Sequence, residues 1–136
     1  MIDVTLPIPP SMNRIWRAGI STNKVTKAVF ATVSRSAEYR NWIDLAGREL
    51  LSLRQAKVTG WYVLHLELPA KMLGDSGNRE KALSDLFVSH NLIDDDAKAW
   101  KIIIERSHDI APKRCRVRIS QDKNASHWPT LQHRIT

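Results

Sequence analysis

The sequence predicts an α+β fold, a single domain in which two helices pack on one face of a mixed or antiparallel sheet. Three observations predict it. Segments with strand and helix periodicity alternate in the order strand, strand, helix, strand, helix, strand, strand, which calls for helices segregated to one side of a sheet. The length, 136 residues, suits one hydrophobic core and is too short for two. No repeat, low-complexity segment or linker rich in Gly, Ser or Pro divides the chain. The domain is expected to span residues 1–121, with 122–136 as a C-terminal extension lacking a clear period.

The first strand is Asp3–Leu6, ended by Pro7, Pro9 and Pro10, which remove backbone donors from any ladder. The segment LPIPPSMNRIWR then reads as a loop. Residues 28–33, AVFATV, have the β-branched and aromatic content of a strand, and Ser34 or Ser36 can cap the helix that follows. Tyr39, Trp42, Ile43, Ala46, Leu50 and Leu53 recur at helical spacing and predict one amphipathic helix over 36–55. Gly60 precedes WYVLHLELP, a strand closed by Pro69. A second helix is predicted from Asn78 to His90. Ala82, Leu83, Leu86, Phe87 and His90 form its apolar stripe, while Asn78, Lys81 and Asp85 fall within about 60° of one another on the other side. Residues 100–107 and 114–121 read as the last two strands. In the second, Cys115, Val117 and Ile119 alternate with Arg114, Arg116 and Arg118, an arginine ladder on one face.

Charge narrows the function. The chain carries a net +7 and a pI near 9.9, which makes nucleic acid the first partner to consider. The charge is uneven: nine Lys and Arg oppose four Asp and Glu in residues 1–60, four oppose seven in 61–100, and eight oppose three in 101–136. An acidic island thus lies between basic flanks. Carboxylates suit hard divalent cations, and a basic surround attracts a polyanion. No apolar run is long enough for a membrane span, and MIDVTLPIPP lacks the layout of a secretion signal, so a cytoplasmic location is expected. The single cysteine, Cys115, sits in an alternating strand and is expected to be buried. His65, His90, His108, His127 and His133 are scattered without helical i,i+3 or i,i+4 pairing, which does not suggest a zinc pattern.

The acidic island is GDSGNREKALSDLFVSHNLIDDDAKAW, residues 74–100. Together with the opening it resembles the RusA family of Holliday junction resolvases. LPIPPSMNRIWR is similar to that family's LPxPPSxNRxxR, and SAEYRNW to its S-x-x-Y-R helix start. Residues 75–81 are similar to D-x-D-N-x-x-K at a loop-to-helix junction, Ser84-Asp85-Leu86 to a D-A-L continuation, and residues 91–97 to a turn of the form G-x-[IL]-x-D-D. The similarity runs in order over residues 3–120. It implies a homodimeric endonuclease that makes paired nicks in four-way DNA junctions with Mg²⁺ or Mn²⁺, of a kind often carried by phages and prophages. By position it implies Asp75, Lys81 and Asp96 as catalytic residues, with Asp95 as the adjoining acid. The family's middle aspartate has no counterpart, because Gly77 stands in its place.

Phosphodiester hydrolysis needs an activated water, a stabilised leaving oxygen and a positioned phosphorus. Asp75 and Asp96, then Asp95, are the expected metal ligands, and the compact ammonium of Lys81 suits the scissile phosphate. Asn78 is expected to orient a ligand or DNA, or to cap the helix. Asp85 is expected to hold Lys81 at i,i+4 and, with Glu80, is a candidate to replace the missing carboxylate, although the helical angle turns Glu80 away from the Asn78–Lys81 face. Asp94 reads as an exposed turn residue. A helix of about 13 residues is about 20 Å long, so Asp75 and residues 94–96 can meet only through tertiary packing. Expected DNA contacts are Asn13, Arg14, Arg17, Asn78, Arg114, Arg116 and Arg118, with Trp16 either stacking on an opened base or packing in the core. Leu92, Ile93, Trp100 and the 102–104 strand are candidates for the dimer interface or the core. No membrane and no small-molecule cofactor is expected. Two alternatives remain: a weakened or inactive junction-binding protein of the same fold, in which Gly77 records lost chemistry, and a basic nucleic-acid-binding module without nuclease activity.

Overall fold

The protein is described by a computed structural model for residues 1–11, 16–22, 29–72 and 79–123, with only the backbone given for 16–22 and 29–35. Its elements are β1 (Ile2–Pro7), β2 (Trp16–Thr22), β3 (Val29–Arg35), α1 (Ala37–Ser52), β4 (Tyr62–Pro69), α2 (Glu80–Ser89), β5 (Ala99–Ser107) and β6 (Arg114–Gln121), with a 3₁₀ turn at Asp96–Lys98. Strands β1, β6, β4 and β5 form one sheet in that order. The β4–β5 pair is parallel and the other two are antiparallel. The sheet is therefore mixed, and its parallel pair requires the crossover that α2 provides.

Alternation decides which face each strand buries. Ile2, Val4 and Leu6 of β1, Tyr62, Leu64, Leu66 and Leu68 of β4, and Cys115, Val117 and Ile119 of β6 all turn to one core. The register aligns them, with Ile119 opposite both Ile2 and Leu64, and Val117 opposite both Val4 and Leu66. Both helices close that side, α1 through Tyr39, Trp42, Ala46 and Leu50, and α2 through Ala82, Leu83, Leu86 and Phe87. Each such large apolar side chain contributes about 1.5–3 kcal/mol on burial. The α+β arrangement with two helices on one face of a mixed sheet is as expected. Cys115 is buried, which pushes its thiol up to about 12.

Local signals set the ends. Ser36, not Ser34, caps α1, its hydroxyl accepting from the Tyr39 N–H at 3.2 Å. At the end of β1, the Pro7 carbonyl accepts from Trp42 Nε1 at 2.9 Å and so ties the proline segment to α1. One strand differs from the sequence reading: β2 pairs antiparallel with β3 in a separate two-stranded sheet. Trp16 and Arg17 therefore begin a strand instead of lying in a loop. Strand β3 takes no place in the main sheet, and a strand of such composition needs a partner for its ladder. The tail expected as an extension lies, from residue 124 on, outside the described residues.

The chain doubles back after α2. The Leu92 N–H donates to the Phe87 carbonyl, and Ile93 forms a parallel bridge with Val58. This return carries residues 94–98 from the end of α2 toward its start. No described helix is long and apolar enough to cross a membrane.

Candidate active site

Lys81 lies in the first turn of α2, and its ammonium donates to Asp96, 15 residues further along the chain. Asp85, one turn on, pairs with the same ammonium at 3.0 Å, as the i,i+4 spacing predicts. Asp96 and Asp85 raise the pKa of Lys81 above its ordinary value, while Lys81 holds the Asp96 carboxyl below its own. Both groups are therefore ionised at neutral pH.

The neighbouring acids have distinct tasks. Asp95 is extended and caps the 3₁₀ turn, its carboxylate accepting from the Ala97 N–H at 3.1 Å. Asp94 turns away, accepting from the Gly60 N–H at 2.8 Å and pairing with Lys57 at 2.8 Å. Those two bonds lower its pKa, the Gly60 amide more than Lys57. Gly60 sits at φ +71°, a backbone region costly for other residues, so it and Asp94 together shape the entry to β4. Asp94 is a structural turn residue, as expected.

Beneath the turn lies Tyr62, the first residue of β4 and fully buried. Its Oη makes no hydrogen bond of normal geometry among the described residues, because the nearby Ser84 hydroxyl donates to Glu80 instead. Burial, and after it the charges of Glu80, Asp96 and Asp95, pushes Tyr62 up to about 12, with Ser84 offsetting part of the rise. Glu80 and Ser84 thus lie on the side of α2 that faces Tyr62, and Lys81 with Asp85 on the exposed side. The sequence turned Glu80 away from the Asn78–Lys81 face and gave Tyr62 and Ser84 no role in the site. Ser84, a hydroxyl inside the apolar run of α2, was the available signal.

Of the other expected site residues, Asp75, Asn78, Asn13, Arg14 and Gly77 lie outside the described residues, and Arg17 is described by its backbone alone. The three arginines of β6 are paired with acids. Arg114 forks onto Glu49 of α1 at 2.9 and 3.2 Å, and Arg116 onto Asp3 at 2.8 and 2.9 Å. Arg118 bonds Glu67 at 2.5 Å and His65 Nδ1 at 2.7 Å. Arg114 reaches round to α1, whereas Arg116 and Arg118 pair on the face away from the helices.

A second cluster on that face was not read from the sequence. His65, Glu67 and Glu105 bring one ligand atom each to within 4.8 Å of one another, a group that could hold a metal ion. His65 Nε2 is 2.5 Å from Glu105. The signal was strand spacing: His65 and Glu67 are two apart on β4, and Glu67 stands opposite Glu105. His90 is structural, as expected: its ring packs on α1, where a Cβ added to Gly47 would come 3.0 Å from Nε2.

Next to the acidic turn, Trp61 and Trp100 meet edge to face at 5.6 Å, with Lys98 Nζ 4.7 Å above the Trp61 ring. Trp100 and Ile102 stay exposed on edge strand β5, whereas Ile93 is buried and Leu92 and Ile104 pack on the core. No protein-family model matches the chain, and no curated protein matches it.

Proposed function

We propose that this chain is a metal-dependent endodeoxyribonuclease of the RusA type, which binds four-way DNA junctions as a homodimer and resolves them by paired, symmetric nicks. The observation that carries the reading is the contact between Lys81 and Asp96. These are two positions of the resemblance, distant in sequence, and they meet beside Asp95. An all-oxygen donor set around one lysine suits Mg²⁺ or Mn²⁺ better than a softer metal. When bound, such an ion supplies Lewis-acid polarisation and an activated water.

The chain's own residues do the rest. Asp95 and Asp96 would hold the ion, with Asp75 as the third expected ligand. Asp85 keeps the Lys81 ammonium in place, where it would meet the scissile phosphate. The basic flanks draw DNA to the acidic centre. Asn13, Arg14, Arg17 and Asn78 are the proposed DNA contacts. Arg114, Arg116 and Arg118 would have to exchange a carboxylate for a phosphate to join them. Gly77 favours a second reading, a junction binder that has lost cleavage.

The test is cleavage of a labelled four-way junction against linear duplex of the same sequence, in Mg²⁺ and in Mn²⁺, with Asp96→Asn as control. Paired nicks confined to the junction and abolished by the substitution are expected. Tight junction binding without nicks in either metal would establish the binder, and equal binding to duplex and junction would leave only a basic nucleic-acid module.

A further inference from the structure

We propose that the cavity where β4 and β5 end binds one unpaired nucleotide, with the base against apolar walls and the phosphate on Lys71 and Lys113. The site lies at the opposite end of the parallel β4–β5 pair from the acidic turn, which precedes β5. Only the source of the nucleotide, a DNA strand, rests on the nuclease reading.

The cavity measures about 520 Å³, within the usual range for a small-molecule site. Ile8, Pro69, Met72 and Pro112 give it apolar lining, and Lys71, His108 and Lys113 line it as exposed residues. No Asp or Glu lines it. The arginines of β6 each pair with an acid, whereas Lys71, Lys113 and His108 make no ion pair among the described residues. An apolar hollow edged by unmatched ammonium groups fits a ligand that joins a flat apolar part to a compact anion, and lysine meets phosphate as a point charge. The backbone adds a separate sign. Lys113 sits at φ +63°, a region that favours glycine, and its carbonyl is held there by the Ile8 N–H at 3.0 Å. Residues kept in such costly conformations cluster at ligand sites.

Hydrogen bonding around the cavity separates a nucleotide from an acidic peptide. A peptide that joins a sheet edge needs open N–H and C=O groups. Here they are used: the Ala70 N–H donates to the Ser107 carbonyl at 3.0 Å, the Met72 N–H to Pro69 at 3.1 Å, and the Arg106 guanidinium to the carbonyls of Ala70 and Met72. Stacking of a base needs only apolar or aromatic faces, which Ile8, Pro112 and the His108 imidazole offer. A base still paired and stacked inside a duplex cannot enter such a hollow, so the ligand is an unpaired one.

The test uses the full chain in EDTA, which removes any metal chemistry at the acidic turn, and a fluorescent oligothymidylate read by anisotropy. The wild type should bind the strand, and should bind an abasic strand of equal length about tenfold more weakly, the scale of one lost stack. Ala70→Leu, which fills the cavity with a larger side chain, should bring the normal strand down to the abasic level. Lys71→Gln combined with Lys113→Gln should weaken binding of both strands and lower the slope of log affinity against log salt by about 1. Both lysines are exposed, so this double variant carries the test if Ala70→Leu fails to fold. Displacement of the probe by free dTMP would uphold a site for free nucleotide, and displacement by unlabelled strand alone would uphold one for a nucleotide within DNA. Equal binding of normal and abasic strands, wild-type affinity in the variants, or displacement by oligoglutamate as strong as by the strand would overturn the proposal. Cavity-dependent strand binding in a protein that does not cut junctions would uphold it and remove the nuclease reading. Junction cleavage with cavity-independent strand binding would do the reverse.

Discussion

Two clusters of charged side chains lie on opposite faces of the same sheet, and they differ in what closes them. On the helix side, Asp85 and Asp96 both pair with the ammonium of Lys81, and Asp95 caps the turn that carries Asp96. On the other face, His65, Glu67 and Glu105 enclose the Arg118 guanidinium, which bonds one carboxylate and one imidazole nitrogen. The first cluster has more acids than contacting cations, whereas the second is knit into a row of arginine pairs. Proximity of ligands alone therefore does not settle what a cluster holds, since an arginine already occupies two of the three donors in the second.

The widest gap between the clusters should appear in catalysis. Asp96→Asn is expected to lower single-turnover junction cleavage more than about 100-fold, the scale of losing a transition-state electrostatic partner, while Glu105→Gln leaves the rate within about twofold of the wild type, far below that scale. Equal losses would erase the distinction. Lys81→Gln should cost about 100-fold in the same assay yet leave Mn²⁺ binding intact or tighter, because Asp96 is freed.

Stability should show the opposite ranking. Glu67→Gln weakens the partner of a partly buried guanidinium and is expected to cost about 1–3 kcal/mol in urea unfolding, without changing Mn²⁺ affinity. Metal-free Tyr62→Phe should be neutral or more stable by up to about 1 kcal/mol, since the hydroxyl it removes has no described partner.

The smallest effect lies at the rim of the arginine row. Arg116 lowers the pKa of Asp3 below 3.8. The pair's stability is thus present above about pH 3.8 and lost as pH falls through the lower, folded value. Melting of Arg116→Gln should differ slightly from the wild type at pH 7 and converge with it as pH falls through the lowered Asp3 value.

The periodic elements were legible in the sequence. The stripes of α1 and α2 and the alternation of β4 and β6 repeat over enough residues to give type and buried face. Strand β2 was not legible, since WRAGIST contains Gly19 and lacks alternation, and only pairing with β3 makes it a strand. In the site, the Lys81–Asp85 pair follows from helical spacing alone. Its meeting with Asp96 does not, because it depends on the chain reversing after Phe87 and bridging Val58 to Ile93. Glu80 shows the limit of a helical wheel: its angle away from Lys81 agrees with its bond to the buried Ser84, but the wheel does not show that Tyr62 lies on that side.

The strand order has a consequence for biosynthesis. β1 is made first but pairs only with β6, Ile2 facing Ile119, and β6 also separates β1 from β4. On the ribosome the first strand must wait for the last one. Its edge stays open, and the sheet that holds the acidic turn remains incomplete, until nearly the whole chain has emerged. Closing so long a loop predicts slow folding of the main sheet, and truncation before Arg114 should release a chain in which β1 has lost its partner and β4 one of its two.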